Sequence, residues 1–413
     1  MVLTANRISR GSVRAVVVAI VLVLMAACGS SGSGSSGRTA GTAESGPKGT
    51  PFKIGYICFC ANFGAASTGN AFRAFEGWVK WKNANGGING HPVQAVTRND
   101  PGNPGVALKQ VKELVGEGVV ALVSNDSSND EAWASYIEST GIPVFNTVVG
   151  SAKLAMSLNA FSTAVSLVYN PAGIVASAKK SGVRRLALFY CAEVAACKQL
   201  VPVLKDASKT AGVDISFAAS VLSTAPNYTA QCLAAKDANA DGLFVAGAPS
   251  TALRVVASCA QQGYGARLVS YGQSFSREFE GQPGTDNMIA FAPNIPFYKT
   301  DFGGIKTMTA AYDKYEKGLT GSPAYNDTAV VQWTTGQLIA EAAVAGKVGV
   351  AREPSGPDLL EAMYTLRSTN LDGMTPQLTF VKGQPHLNKC WFYAGIEDNK
   401  FATPYGLTPS CAS

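Results

Sequence analysis

From Pro51 onward the chain alternates short apolar runs with amphipathic stretches of helical period, and it does so twice over. Runs this short bury both faces most economically as strands of a parallel sheet covered by helices, so the alternation itself dictates a βα architecture. In the first set the strands fall at 52–57, 93–96, 119–124 and 143–146. Phe72, Phe75, Trp78, Val79 and Lys82 share one helical face, and Asn85-Gly86-Gly87 ends that helix. Pro104 opens the next one. A second set places strands at 186–190, 215–222, 242–246 and 268–271, then an extended link at 288–293, helices over 301–317 and 324–345, and strands at 377–381 and 391–396.

The 413 residues exceed what one core ordinarily holds. The reading is therefore an α/β protein of two Rossmann-like lobes with mostly parallel sheets, joined by a multi-stranded hinge. Lobe 1 takes residues 51–165 and 290–365, and lobe 2 takes 166–289 and 366–413. A chain that visits both lobes more than once leaves a cleft at the hinge, and ligands of open α/β sheets bind outside the carboxyl ends of the strands.

Ahead of the lobes, Arg7, Arg10 and Arg14 precede an uncharged apolar run, 15–27, that ends in Met25-Ala26-Ala27 against Cys28. The run is shorter than the ~20 residues of a spanning helix and closes on small residues, so 1–27 reads as a cleaved secretory signal. The site resembles a bacterial lipobox, which implies diacylglycerol on Cys28, with 28–50 a tether opening on the flexible GSSGSGSSG of 29–37. A secreted chain with an incidental Cys28 is the alternative. Loss of 1–27 removes three arginines and no acid, lowering the formal charge from +6 to +3. The remaining basic residues are scattered, so the footprint of a nucleic-acid binder is missing.

Nine cysteines less Cys28 leave eight in an oxidising compartment. Proximity favours Cys191 with Cys197, Cys232 with Cys259 and Cys390 with Cys411. Cys58 and Cys60 remain, either closing a very tight ring or serving as a metal or redox pair. His91 and His386 offer no clustered ligand set for a metal.

The stretch Asn85-Gly86-Gly87-Ile88-Asn89-Gly90-His91-Pro92-Val93, followed by Asn99-Asp100-Pro101-Gly102-Asn103-Pro104, resembles the type I substrate-binding proteins of the leucine/isoleucine/valine-binding family. Further agreement comes at 119–128 with Gly141-Ile142-Pro143, at Tyr169-Asn170, and at Leu371-Asp372-Gly373-Met374-Thr375-Pro376. The resemblance implies a type I periplasmic-binding-protein fold that closes two lobes on a small molecule. A lipid anchor suits such a protein when it serves an ABC importer, so the implied partners are a small ligand, a permease and the membrane, with no cofactor.

The resemblance also implies where the ligand lies. A carboxylate would rest on the loop Ser124-Asn125-Asp126-Ser127-Ser128, with Ser127 and Ser128 as contacts, at a helix N-terminus suited to an anion. Ser128 and Glu131 also form a capping box, which uses the same serine with or without a ligand. The next contact falls near Val148, Val149 and Gly150. In lobe 2, amino-acid binders place an acid where this chain has Gln273, and a covering tyrosine aligns with Ala195. A neutral amide makes no ion pair with an ammonium, so a standard α-amino acid pocket is not expected. Phe59, Phe63, Trp133, Tyr190, Tyr271 and Phe275 near the strand ends are candidates for an apolar slot, and Pro249 completes the ligand-contact set.

Enzyme chemistry lacks its usual parts: there is no G-x-S-x-G elbow, Walker loop or H-E-x-x-H motif, and no clustered acid pair. The G-x-G-x-x-G match at 32–37 lies in the tether, before any strand. A ligand-sensing protein of the same fold is the rival to transport.

Overall fold

A computed structural model describes residues 46–60, 65–125, 129–147, 150–193 and 195–412. Cys28, Phe63, Ser127, Ser128 and Val149, together with the signal and nearly all of the tether, lie outside the described residues.

In the first lobe the chain runs β1 (Phe52–Cys58), α1 (Ala65–Ala84), β2 (Val93–Asn99), α2 (Pro104–Gly116), β3 (Ala121–Asn125), α3 (Asp130–Ser139), β4 (Val144–Asn146), α4 (Ala152–Ala155) and β5 (Ala160–Phe161). These five strands are all parallel, in the order β2-β1-β3-β4-β5. The connections behave as their sequences dictate. Gly86 and Gly87 take positive φ beyond α1, where Gly87 N–H bonds Lys82 O at 2.9 Å. A Cβ at Gly87 would lie 2.0 Å from His91 O, so only glycine fits that turn. Asn103 caps α2 by accepting from Gly105 and Val106 N–H, with Pro104 in the first turn.

The second lobe runs α5 (Asn170–Lys180), β6 (Arg185–Cys191), α6 (Ala195–Ala211), β7 (Asp214–Val221), α7 (Thr229–Asp237), β8 (Gly242–Ala246), α8 (Pro249–Gln261), β9 (Arg267–Tyr271) and β10 (Ile289–Ala292). Its first five strands repeat the order of the first lobe, β7-β6-β8-β9-β10, all parallel. The expected link at 288–293 is thus largely β10, a full member of this sheet, and residues 290–292 lie with the second lobe rather than the first. Four buried apolar side chains, Ile289 to Ala292, make it a sheet strand rather than a bridge.

After β10 the chain returns to the first lobe as α9 (Gly303–Tyr315), α10 (Asp327–Ala345) and α11 (Gly356–Met363). Helix α10 is buried almost all round, and it lies so close to α1 that a Cβ at Gly336 would sit 2.2 Å from the Trp78 indole. The chain then goes back to the second sheet as β11 (Cys390–Glu397), β12 (Lys400–Ala402) and β13 (Ser410–Cys411), with β11 antiparallel to β10. The strand expected at 377–381 is not formed. Only an isolated bridge joins Leu378 to Thr369, because the segment lies against Phe161 and the crossovers instead of reaching a sheet edge.

Three crossovers join the lobes. Ser166 and Asn388 bond each other through Ser166 N–H to Asn388 O at 2.9 Å and Asn388 N–H to Ser166 Oγ at 2.8 Å. Thr163 Oγ1 meets Thr334 Oγ1 at 2.9 Å, and Asn294 in the middle crossover lies against the same threonine.

Candidate functional site

The strand order 2-1-3-4-5 has its switch point beside the second strand listed, where connections leave in opposite directions and open a crevice at the carboxyl ends. Here the switch points lie between β1 and β3 and between β6 and β8. A disulfide sits at each: Cys58, the last residue of β1, pairs with Cys60, and Cys191, the last residue of β6, pairs with Cys197. Cys232–Cys259 links α7 to α8, and Cys390–Cys411 links β11 to β13.

In the first lobe the carboxyl ends are polar and buried. Thr147, directly after β4, donates its hydroxyl to Ser124 O and Asn125 Oδ1, both at 3.0 Å. It accepts from Gln332 Nε2 of α10 at 2.9 Å. Asn125 Nδ2 is buried without a partner among the described residues, and the buried Tyr56 hydroxyl and Gln332 amide oxygen have only each other, outside good hydrogen-bond geometry. Burial pushes the Tyr56 phenol well above its usual range, against a smaller opposing effect of the Gln332 amide. An unpaired amide N–H beside a poorly aligned phenol–amide contact is costly to fold, at about 1–3 kcal/mol for the unpaired group.

Gly150 is buried where the chain leaves β4. A Cβ there would lie 2.3 Å from Asn146 Nδ2 and 2.6 Å from Asp130 Oδ2, so the close approach requires glycine. Asp130 Oδ2 accepts from Ser151 N–H at 2.8 Å. Burial raises the Asp130 pKa and the bonds from Ser151 oppose it. The expected capping box rests on Ser128, outside the described residues; Asn129 is the N-cap of α3, and its amide donates to Asp100 Oδ2 at 2.5 Å rather than capping the helix.

In the second lobe the strand ends are mainly aromatic. Half-buried Tyr190 ends β6 one residue before Cys191, and Pro249 opens α8 after β8. Tyr271 ends β9 with its ring 6.1 Å from Phe244 and 6.3 Å from Phe291. Burial raises the Tyr271 pKa, while Ser274 lowers it. Ser274 Oγ donates to Gly247 O at 3.2 Å, which brings the turn after β9 beside the loop after β8. Tyr190, Pro249 and Gln273 thus lie on the ends of three neighbouring strands.

Gln273 reaches across to the other lobe: its Nε2 donates to Thr147 O at 3.0 Å. The carboxyl ends of the two sheets therefore face each other. A cavity of about 10 Å³ borders Gln273, Tyr271 and Asn170, room for one water at most, so the lobes must part there for a solute to enter. A larger cavity of about 320 Å³ lies within the 377–390 segment, away from the strand ends. The strand-end geometry, not cavity size, decides which is the candidate site.

Two of the aromatic candidates do not belong to the slot. Trp133 is fully buried in the first-lobe core under α3, and Phe275 is fully buried against Phe279, Phe297 and Phe401. Large aromatic rings gain most from complete burial, which the sequence position alone did not reveal. The histidines are structural: His91 places its two ring nitrogens on Thr50 O and Gly349 O, and His386 packs between Phe161 and Phe380. Burial lowers the His386 pKa to about 4, so it stays neutral. Among the described residues no cluster of three or more metal-ligating side chains is found, and no helix is long and apolar enough to cross a membrane. Thr147, Gln332 and Tyr56 escaped the sequence reading, which named Asn125 only as part of the loop 124–128. A glutamine set between Val331 and Trp333 in the apolar run 329–333 of α10 was the available signal.

Paired 2-1-3-4-5 sheets with opposed carboxyl ends and a three-stranded hinge define a two-lobed solute-binding protein. The chain belongs to the periplasmic binding protein family, whose model matches residues 51–400. This is a family of extracytoplasmic binding proteins rather than enzymes. The chain is similar to a solute-binding protein of an ABC transporter from R. palustris solved with benzoate (16% identity, TM-score 0.70, covering 88% of this chain and 98% of that one). It is also similar to the fatty acid ABC transporter substrate-binding protein from Thermomonospora curvata (17%, TM-score 0.68, 87% and 91%). A third similar structure is the branched-chain amino acid transporter substrate-binding protein LivJ from Streptococcus pneumoniae with isoleucine (15%, TM-score 0.67, 88% and 99%). At these identities the likeness establishes the fold. No curated protein matches the sequence.

Proposed function

We propose that the chain is a lipid-anchored protein that captures a small organic molecule between its lobes and delivers it to an ABC importer. The candidate ligands are amino acid-like molecules, amides and aromatic or other organic acids. The observation that carries this reading is the meeting of the two sheets' carboxyl ends at Gln273 and Thr147, polar on the first-lobe side and aromatic on the second. Such a cleft suits a ligand with a hydrogen-bonding head and an apolar body. Gln273 and Tyr190 bring no acid to pair with an ammonium, which favours organic acids over α-amino acids. The benzoate and fatty acid named for similar structures support that preference.

The lobes divide as 51–165 with the helical return up to 365, and 166–292 with 366–413. Gly150, Tyr190 and Pro249 are assigned as ligand contacts, together with Phe63, Ser127, Ser128 and Val149 outside the described residues. Diacylglycerol on Cys28 holds the module near the permease. A thermal-shift screen on protein lacking residues 1–37 tests the capture. Benzoate or a related acid should raise Tm, since a ligand at 100 times its Kd adds about 2.7 kcal/mol. Stabilisation by isoleucine but by no organic acid would reverse the ligand assignment, and stabilisation by none of the amino acids, amides, ureas or acids would remove the capture reading. Lipid-precursor labelling of cells should mark the wild type and not Cys28→Ser.

A further inference from the structure

We infer that Gln273 is a closure latch rather than a ligand contact, a positioning residue that sets how often the two lobes are shut. The inference rests on the two-lobed reading above and assigns this residue a role within it. The strand end before Gln273 is pressed against the other lobe: a Cβ at Gly272 would lie 2.6 Å from Asp327 Oδ2 and 2.9 Å from Pro293 Cδ. That contact fixes the 3-10 turn Gly272–Ser274 and aims Gln273 at the first sheet. Its side chain then donates to Thr147 O at 3.0 Å, and its own carbonyl accepts from Asn326 Nδ2 at 2.7 Å.

Both partners are anchored in their turn. Asn326 is the N-cap of α10 and accepts from Thr328 N–H at 2.9 Å. Thr147 is held by Asn125 and, through Gln332, by the same helix α10 two turns further on. The bonds therefore close a circuit: Gln273, Thr147, Gln332, along α10 to Asn326, and back to Gln273. A circuit of this kind places the end of β9 in one position relative to β3 and β4, and it breaks at Gln273 when the lobes part.

The chemistry of the contact explains why an amide stands there. Its N–H meets a main-chain carbonyl, an acceptor that no substitution at residue 147 removes. A carboxylate in the same place would set two acceptors against each other and push the lobes apart. The amide spends one of its two N–H donors on closure, and the closed fraction enters the apparent affinity for every ligand alike.

Hydrogen-exchange mass spectrometry on the full chain in detergent, with no solute added, tests this. In Gln273→Ala the amides of 144–147 and 270–275 should exchange about five-fold faster at pH 7, the loss of one net hydrogen bond of about 1 kcal/mol. Gln273→Glu should do the same at pH 7 and, once intrinsic rates are corrected, return toward wild type as the pH falls and the introduced carboxyl regains an O–H donor. Asp327 on α10 is the carboxyl that faces this turn, with the Tyr271, Tyr298 and Tyr325 phenols nearby. Their titration is common to all variants and cancels in the ratio. A merely structural glutamine would give no such recovery. Gln273→Asn, one methylene too short to latch, serves if the other variants lose their fold. Wild-type exchange in the variants, or a Gln273→Glu response indifferent to pH, would overturn the inference. Latching without uptake of any screened solute would leave it standing and remove the capture reading. Uptake without latching would do the reverse.

Discussion

The two lobes share one topology and differ in what they place at its functional end. The parallel strands of each sheet run 2-1-3-4-5, and the strand beside each switch point finishes on a disulfide-bonded cysteine, Cys58 or Cys191. Around Cys58 the first lobe gathers Asn125, Thr147, Gln332 and Tyr56, buried and only partly satisfied. The second lobe gathers Tyr190, Tyr271, Phe244 and Phe291 in one apolar cluster, held by ring packing. One wall is polar at a cost in stability, and the other takes its stability from packing. The disulfides sharpen the contrast with the rest of the chain. By loop-closure entropy the three-residue ring at Cys58–Cys60 is worth only about 1.5 kcal/mol, against about 3.5 kcal/mol for Cys232–Cys259. The strand-end bridges are better understood as fixing loop shape at the cleft.

The comparison makes unequal demands on mutants. Phe244→Ala should be the most damaging, at about 3–5 kcal/mol by chemical denaturation. Gln332→Ala, equally buried, should cost about 1–3 kcal/mol. Equal losses would mean the first-lobe wall is ordinary core.

Asp327 gives a smaller, pH-dependent effect. Burial drives its pKa well above the carboxylate range, with the Phe297 N–H bond only partly opposing. A raised folded-state pKa means that its stability contribution is full below the unfolded value near 4 and is lost as pH rises toward the folded value. Asp327→Asn should therefore match wild type near pH 4 and gain Tm over it as pH rises. A constant difference across pH would show that the carboxyl does not titrate with folding. The smallest change is expected from Tyr56→Phe, which deletes a buried hydroxyl only poorly aligned with the Gln332 amide and should shift stability by no more than about 1 kcal/mol. A larger loss would show that the Tyr56–Gln332 contact is a full hydrogen bond and the polar wall less costly than it looks.

Much of the fold could be read directly. The strands at 242–246 and 268–271, the Asn85-Gly86-Gly87 stop and the Pro104 start are local statements, written in apolar runs, glycine freedom and proline geometry. The site was less legible. Gln273 was visible as a departure from an acid, yet its partner, Thr147 O, is a main-chain atom 126 residues away that no side-chain pattern encodes. Trp133 and Phe275 looked like cleft aromatics because strand-end position says nothing about which way a ring is buried.

The sequence by itself determined that there are two βα lobes, because apolar period and turn chemistry act over neighbouring residues. Only the tertiary structure decided that β10 joins the second sheet, that the polar and aromatic walls oppose each other, and that an amide closes the gap between them. Those outcomes depend on burial and on hydrogen-bond partners distant along the chain, which exist only once the lobes have packed.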